Sequence, residues 1–266
     1  MVKILSWDIG IKNLAYVIID EINNIRNIIK WDIINLIPDQ PNCYYTKCKA
    51  ITTNICTLDN NNIYWCDKHN DIYKTLITLA QDTNKTISKQ LKYKTINCNT
   101  LSTDEKRLRL INKLDIVILP ILLLQNIDYV LIELQPVKKN PSMKALADTL
   151  QAWFIIRGIV DTNTIKQIKL INASSKLKQY KSILDESLHK AIENNINIDD
   201  NSNNKYTITN KYTITKATSV DVVKKYLNDN NLSNWISYLS SFKKQDDLCD
   251  ALLQAFAWLD RPLKNR

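Results

Sequence analysis

The hydrophobic pattern opens on three strand-like runs set close together. Val2–Asp8 (Val-Lys-Ile-Leu-Ser-Trp-Asp) is mostly apolar and ends on an acid, Leu14–Asp20 forms a second run, and Asn27–Leu36 a third. The link from Gly10 to Asn13 is too short for a crossover, so the first two runs predict an antiparallel hairpin. From Pro38 to about Asn70 the pattern breaks into a polar stretch that carries Pro41 and concentrates Cys43, Cys48, Cys56, Cys66 and His69. A short helix is expected over Asp71–Ala80, followed by a polar connector to about Ser102. Thr103–Gln125 has helical periodicity, with Leu108, Ile111 and Leu114 on one face and Pro120 placed to kink or split it. Tyr129–Glu133 is a short apolar strand that again finishes on an acid. Ser142–Val160 predicts a long helix capped by Ser142, Ile165–Ile171 a fifth strand, and Ser219–Leu227 and Asp246–Leu259 closing helices. Three strands, helix, strand, helix, strand and helix describe a mixed five-stranded α/β sheet flanked by helices.

Two segments interrupt this order. Residues 38–102 read as an insertion, leaving 1–36 and 103–266 as the main domain. Residues 193–216 are Asn-rich, and Lys205–Asn210 (Lys-Tyr-Thr-Ile-Thr-Asn) is repeated almost unchanged as Lys211–Lys216. Two copies are too few for a repeat architecture, so this stretch is expected to be a surface insertion, disordered or a small hairpin.

The acids at the strand ends carry the chemistry. Ile4, Ser6 and Asp8 share a face of their strand, and Gly10 lets the chain turn closely beyond Asp8. Glu133 repeats that placement in a second strand. In Asp246–Leu252, Asp247 and Asp250 stand three apart on one helical face, with Leu248, Leu252, Ala255 and Leu259 as the stripe that packs on the sheet. Carboxylates brought together repel unless a cation neutralises them, and oxygen ligands suit Mg²⁺ or Mn²⁺. The bland alternative is that the strand-end acids are solvated and the helix acids only favour its positive N-terminus.

Composition narrows the classes. A hydrophobic fraction of 45% supports a sizeable core, and a net charge of +9 favours a polyanionic partner. With Gly10 and Gly158 as the chain's 2 glycines, glycine-rich phosphate loops cannot be built, which disfavours an ATP-binding protein of the actin-like type. No secretory leader and no membrane-spanning run is apparent, so a soluble intracellular protein without a membrane partner is expected. The 6 cysteines then read as thiols or metal ligands rather than disulfides.

The stretches Asp8-Ile-Gly-Ile-Lys-Asn-Leu-Ala15, Ile132-Glu-Leu-Gln-Pro136 and Asp247-Leu-Cys-Asp-Ala-Leu252 together resemble the poxvirus-type Holliday junction resolvases of large DNA viruses. That family is related to bacterial RuvC and to the fungal mitochondrial resolvases. The Glu-x-Gln-Pro element, followed by a Lys/Asn-rich turn and Met143, is its most specific piece. The resemblance covers roughly residues 1–36 and 103–260. It implies a ribonuclease H-like fold and a homodimer that nicks four-way DNA junctions in viral recombination or concatemer resolution. It also implies two Mg²⁺ (or Mn²⁺) ions on Asp8, Glu133, Asp247 and Asp250 as the catalytic, metal-binding acids. A virus-encoded protein acting in the host cytoplasm, or in the nucleus, follows from the same resemblance. Asp246 competes with Asp247, since it too shares a face with Asp250; the Asp-x-x-Asp-Ala-Leu pattern favours Asp247. Two other readings stand beside it: a ribonuclease acting on RNA–DNA hybrids, and a non-catalytic nucleic-acid-binding module.

A second metal is suggested within residues 43–69. Cys43-x4-Cys48 and Cys66-x2-His69 supply four soft ligands in two pairs, as structural Zn²⁺ sites do, in a segment with little apolar material of its own. Cys56, Cys98 and Cys249 look like packing residues. For DNA phosphates the candidates are Lys12, Lys138, Lys139, Lys144, Lys243 and Lys244, with Lys176 and Lys178 on the same side. Trp153 and Phe154 suit the core or a dimer interface, and Gly158 a close helix approach at such an interface.

Overall fold

The computed structural model describes residues 1–36, 43–45, 47–48, 52, 54–58, 61–69, 71–72, 74–75, 78, 92–95, 101–136, 140–173 and 208–262. The chain divides into two compact units, Met1–Leu36 with Lys106–Arg266, and Ile37–Glu105. The strands in chain order are β1 (Val2–Asp8), β2 (Leu14–Ile22), β3 (Ile25–Ile34), β4 (Asn54–Leu58), β5 (Asn61–Trp65), β6 (Lys92–Thr95), β7 (Tyr129–Glu133) and β8 (Gln167–Ile171). The larger unit holds a five-stranded sheet in the order β3-β2-β1-β7-β8, and the smaller one a three-stranded sheet, β5-β4-β6. In the larger sheet β2 runs antiparallel to both β1 and β3, while β7 lies parallel to β1 and β8 parallel to β7. An antiparallel meander whose first strand leads into two parallel crossover strands is the ribonuclease H-like arrangement.

The helices are α1 (Thr103–Val117), α2 (Leu119–Leu124), α3 (Pro141–Phe154) with a π-helical extension over Ile155–Asp161, α4 (Ile208–Asp229), α5 (Ser233–Ser240) and α6 (Asp246–Leu259). No helix among the described residues is long and apolar enough to cross a membrane.

Both faces of the sheet are covered, as alternation along β1 and β2 shows. Ile4, Ala15, Val17 and Ile19 pack with α4, α5 and α6; Leu5, Trp7, Leu14, Tyr16 and Ile18 pack with α1, α2 and α3. Helix α6 is buried nearly all round, because the sheet covers one side and α4 another. Leu248, Leu252, Ala255 and Leu259 are all fully buried on it, and Trp31 Nε1 donates to Leu248 O at 2.9 Å, tying β3 to its first turn.

Several boundaries move for identifiable reasons. β2 and β3 both extend to a two-residue turn at Asn23 and Asn24, whose φ values of 51° and 64° are tolerated by asparagine and match a tight hairpin. Pro120 does split its helix, into α1 and α2. The buried stripe there is Leu110, Leu114, Ile118 and Leu122, not one beginning at Leu108, which is 61% exposed. Spacing by four keeps that stripe on one side across the break. The cap of α3 is Asn140, whose side chain accepts from Met143 N at 3.2 Å; Pro141 takes the first helical position, where its missing N–H costs nothing, and Ser142 falls inside. Residues 208–216, expected in a loop or hairpin, form the start of α4, so the second copy of the duplicated hexapeptide is helical. Residues 193–207 lie outside the described residues.

Both glycines meet a close approach within their own chain. A Cβ on Gly158 would stand 2.1 Å from Ile165 Cδ1, so this glycine admits its own chain's Ile165. Trp153 and Phe154 are core, with Trp153 Nε1 donating to Asp115 Oδ1 at 2.9 Å. At Gly10 a Cβ would stand 2.2 Å from Asn13 O, a backbone atom that cannot swing aside. The Gly10→Ala variant is therefore expected to lose about 1–3 kcal/mol of stability, read as a fall in the urea midpoint. An unchanged midpoint would mean the turn opens freely.

Candidate active-site cavity and metal centre

β1 and β7 are neighbours in register, with Ser6 opposite Leu131 and Trp7 opposite Ile132. Each strand ends one residue later, on Asp8 and Glu133, so the two acids emerge at the same edge of the sheet. Both belong to the face covered by α6, whose first turn carries Asp247 and whose next carries Asp250. The four acids line one cavity of about 520 Å³, together with Lys12, Asn13, Lys216 and Lys244. Its lining offers oxygen donors and, among the described residues, no thiolate or imidazole.

Lysines lie against Asp247 and its neighbour Asp246. Lys244 Nζ stands 2.6 Å from both oxygens of Asp247, and Asn13 Nδ2 donates to Asp247 Oδ2 at 2.8 Å. Lys216, from α4, is bonded to Asp246 and stands 3.8 Å from Asp247 Oδ1. Asp8 and Asp247 are each only 7% exposed, so these charges interact with little water between them. The N-terminus of α6 adds its positive end to the same place.

Asp246 and Asp247 point to different places. Asp247 lines the acid cavity; Asp246 lines a shallower neighbouring one with Lys243, Lys244 and Lys216. Burial would raise the Asp246 carboxyl, but the hydrogen bond and charge of Lys216, with Lys244 behind, outweigh it and hold the group below its ordinary range. A depressed pKa contributes stability above the unfolded value, near 4, that is lost as pH falls through the folded one. The Tm deficit of Asp246→Asn relative to wild type should accordingly shrink below about pH 4 in melts from pH 2 to 7. A constant deficit would speak against the ion pair.

Of the expected phosphate contacts, Lys12 and Lys244 line the acid cavity and Lys243 the neighbouring one. Lys144 pairs with Asp148 one turn along α3. Lys138, Lys139, Lys176 and Lys178 lie outside the described residues. The sequence pattern does not single out Lys216 or Asn13, and Lys216 is hidden in the duplicated segment.

In the smaller unit the two Cys/His pairs meet. β5 ends at Trp65, Cys66 follows, and a 3-10 turn over Asp67–His69 folds His69 back, its N–H donating to Cys66 O at 2.9 Å. Tyr44 N donates to Tyr64 O at 2.8 Å, which brings the Cys43 segment alongside β5. The donor atoms of Cys43, Cys48, Cys66 and His69 all lie within 4.8 Å of one another. Cys48 Sγ is 3.8 Å from Cys66 Sγ, and His69 Nδ1 is 3.3 Å from Cys43 Sγ and 3.4 Å from Cys66 Sγ. A tetrahedral site with ordinary Zn–S and Zn–N bonds has S···S edges of about 3.8 Å and S···N edges of about 3.6 Å, so the quartet fits a zinc-sized ion. Burial opposes ionisation of Cys43, but backbone hydrogen bonds from Cys66 and Tyr45 and the contact with His69 bring its thiol down to about 7. Tyr45 stacks on the His69 ring at 4.2 Å. Cys56 is buried in β4 and Cys249 in α6, both as packing residues; Cys98 lies outside the described residues. Among the described residues the cavity acids form no comparably tight cluster; Lys216 and Lys244 lie against Asp247.

Fold and site thus define a ribonuclease H-like α/β protein with an acid-lined cavity at the sheet edge and a separate Cys/His unit able to hold a metal ion. No family model matches the chain. It is 30% identical to a protein of Acanthamoeba polyphaga mimivirus described as uncharacterized, over 97% of this chain and 74% of that one. The chain belongs to the family of that large-DNA-virus protein. Solved structures similar to it include the yeast mitochondrial Holliday junction resolvase (TM-score 0.46, 15% identity, 97% of this chain and 79% of that one). The fowlpox virus resolvase in complex with Holliday junction DNA is another (TM-score 0.38, 15% identity, 97% of each chain).

Proposed function

We propose that this chain is a divalent-metal-dependent endonuclease that resolves four-way DNA junctions, acting as a homodimer that places paired nicks. The observation that carries the reading is the convergence of Asp8, Glu133, Asp247 and Asp250, from three separate elements, on one cavity walled by lysines. These acids occur within the three motifs that resemble the viral resolvases. The donor set fits hard ions: carboxylate oxygens of Asp8, Glu133, Asp247 and Asp250 would hold Mg²⁺ or Mn²⁺. When bound, a pair of such ions supplies an activated water and neutralises the leaving oxygen of a phosphodiester.

The chain's own residues do the rest. Lys244 neutralises Asp247; with Asp247 holding a divalent ion, Lys244 would be available to a DNA phosphate. Lys12 and Lys216 line the same wall and meet the DNA backbone as point charges. In the smaller unit, Cys43, Cys48, Cys66 and His69 would hold a structural Zn²⁺.

The test is a matched nicking assay in Mg²⁺ on a four-way junction, a linear duplex and an RNA–DNA hybrid of the same sequence. The junction is expected to be cut at least tenfold faster than either of the others, and only with the divalent ion present. Preference for the hybrid would move the protein to the ribonucleases of this fold, and binding without cutting would make it a non-catalytic module.

A further inference from the structure

Gln254 lies in α6 with no exposed surface, among Leu252, Leu253, Ala255 and Phe256. A polar side chain in such a place carries a desolvation penalty that an aliphatic one would avoid. Its Nε2 donates to Ser6 Oγ and to Trp7 O, each at 3.1 Å, and to Leu131 O at 3.4 Å, whereas its buried Oε1 has no partner among the described residues. A buried amide oxygen without such a partner costs stability that an aliphatic side chain would keep, so what the amide nitrogen holds together matters.

What it touches explains it. Ser6 stands two residues before Asp8, Leu131 stands two before Glu133, and Ser6 and Leu131 face each other in the parallel register of β1 and β7. Residues two apart share a strand face, so the amide sits directly beneath both strand-end acids. On α6, Gln254 follows Asp250 by four residues and Asp247 by seven, on one side of the helix. A single side chain therefore joins the three segments of backbone that carry all four cavity acids.

We propose that Gln254 is a positioning residue, which holds α6 against β1 and β7 so that the four carboxylates keep the spacing that divalent ions require. The inference rests on the cavity being a divalent-ion site. It is tested with Gln254→Met, which keeps length and volume and removes the donor, and with Ser6→Ala, which removes one acceptor and serves if the methionine variant fails to fold. Mn²⁺ binding to the full-length protein without DNA is followed by electron paramagnetic resonance, beside Tm and the Mg²⁺ dependence of junction nicking. Gln254→Met is expected to melt within a few degrees of wild type yet bind Mn²⁺ roughly 10–100-fold more weakly, as loss of a supporting contact behind metal ligands does. Its half-saturating Mg²⁺ for nicking should rise in step, while the rate at saturating Mg²⁺ largely recovers; Ser6→Ala should shift both in the same direction by less. Wild-type Mn²⁺ binding that depends on Asp8 but is unchanged in both variants overturns the positioning role alone. Wild-type Mn²⁺ binding that is absent, or indifferent to Asp8→Asn, overturns the divalent-ion reading and this inference with it.

Discussion

Exchange of Asp8 for asparagine is expected to reduce Mg²⁺-dependent junction nicking on the order of 10³-fold or more, while junction binding in the absence of Mg²⁺ stays the same or tightens. The substitution keeps size and shape at a position only 7% exposed, so the sheet edge has no reason to rearrange. What is lost is one negative charge and its hard oxygen donors in a cavity shared with Glu133, Asp247 and Asp250. Removing that charge also lowers repulsion toward an incoming phosphate, hence the unchanged or stronger binding. Nicking under single-turnover conditions and gel-shift titration on one preparation separate the two effects. Retention of nicking by Asp8→Asn would sink the assignment of the cavity as the catalytic centre.

The second large effect concerns the smaller unit. Of the four candidate ligands, Cys66 has its sulfur close to both Cys48 Sγ and His69 Nδ1, at 3.8 and 3.4 Å. Cys66→Ser should abolish stoichiometric zinc in elemental analysis, and a strong chelator should do the same to wild type. The apparent free energy of a structural zinc site is about 10–16 kcal/mol, more than a three-stranded sheet of short strands can supply from its own burial. Loss of the ion should therefore remove hydrogen-exchange protection over β4 and β5 and leave β1, β2 and β7 protected. Full protection of β4 and β5 in the zinc-free protein would show that the quartet is not structural.

How much of this was legible in the chain differs from element to element. β1, β2, β7 and α6 were readable because alternation and helical periodicity report burial directly, and these elements are buried along most of their length. Gly10 was readable because a lone glycine beside an acid answers a local demand of the turn. The start of α4 was not, since Lys-Tyr-Thr-Ile-Thr repeats have weak helical preference and take that form within a long helix whose later turns pack against α6. Leu108 and Ser142 were misplaced for a similar reason: a face and a cap are each settled by one residue, and neighbouring stripes or caps compete closely.

The residue types at the cavity were present in the primary structure: acids closing two apolar runs and a pair three apart on a helix. That chemistry is local, because an acid's charge and its phase along a strand or helix need no partner to be recognised. Which cations answer those acids was a matter of three dimensions. Lys216 lies 30 residues before Asp246 and reaches it only because α4 packs on α6. Gln254 lies 248 residues from Ser6 and meets it only where the sheet and the last helix are in contact. Pairings over such distances depend on how elements are layered, and layering is decided by the summed burial of whole faces rather than by any short stretch of chain.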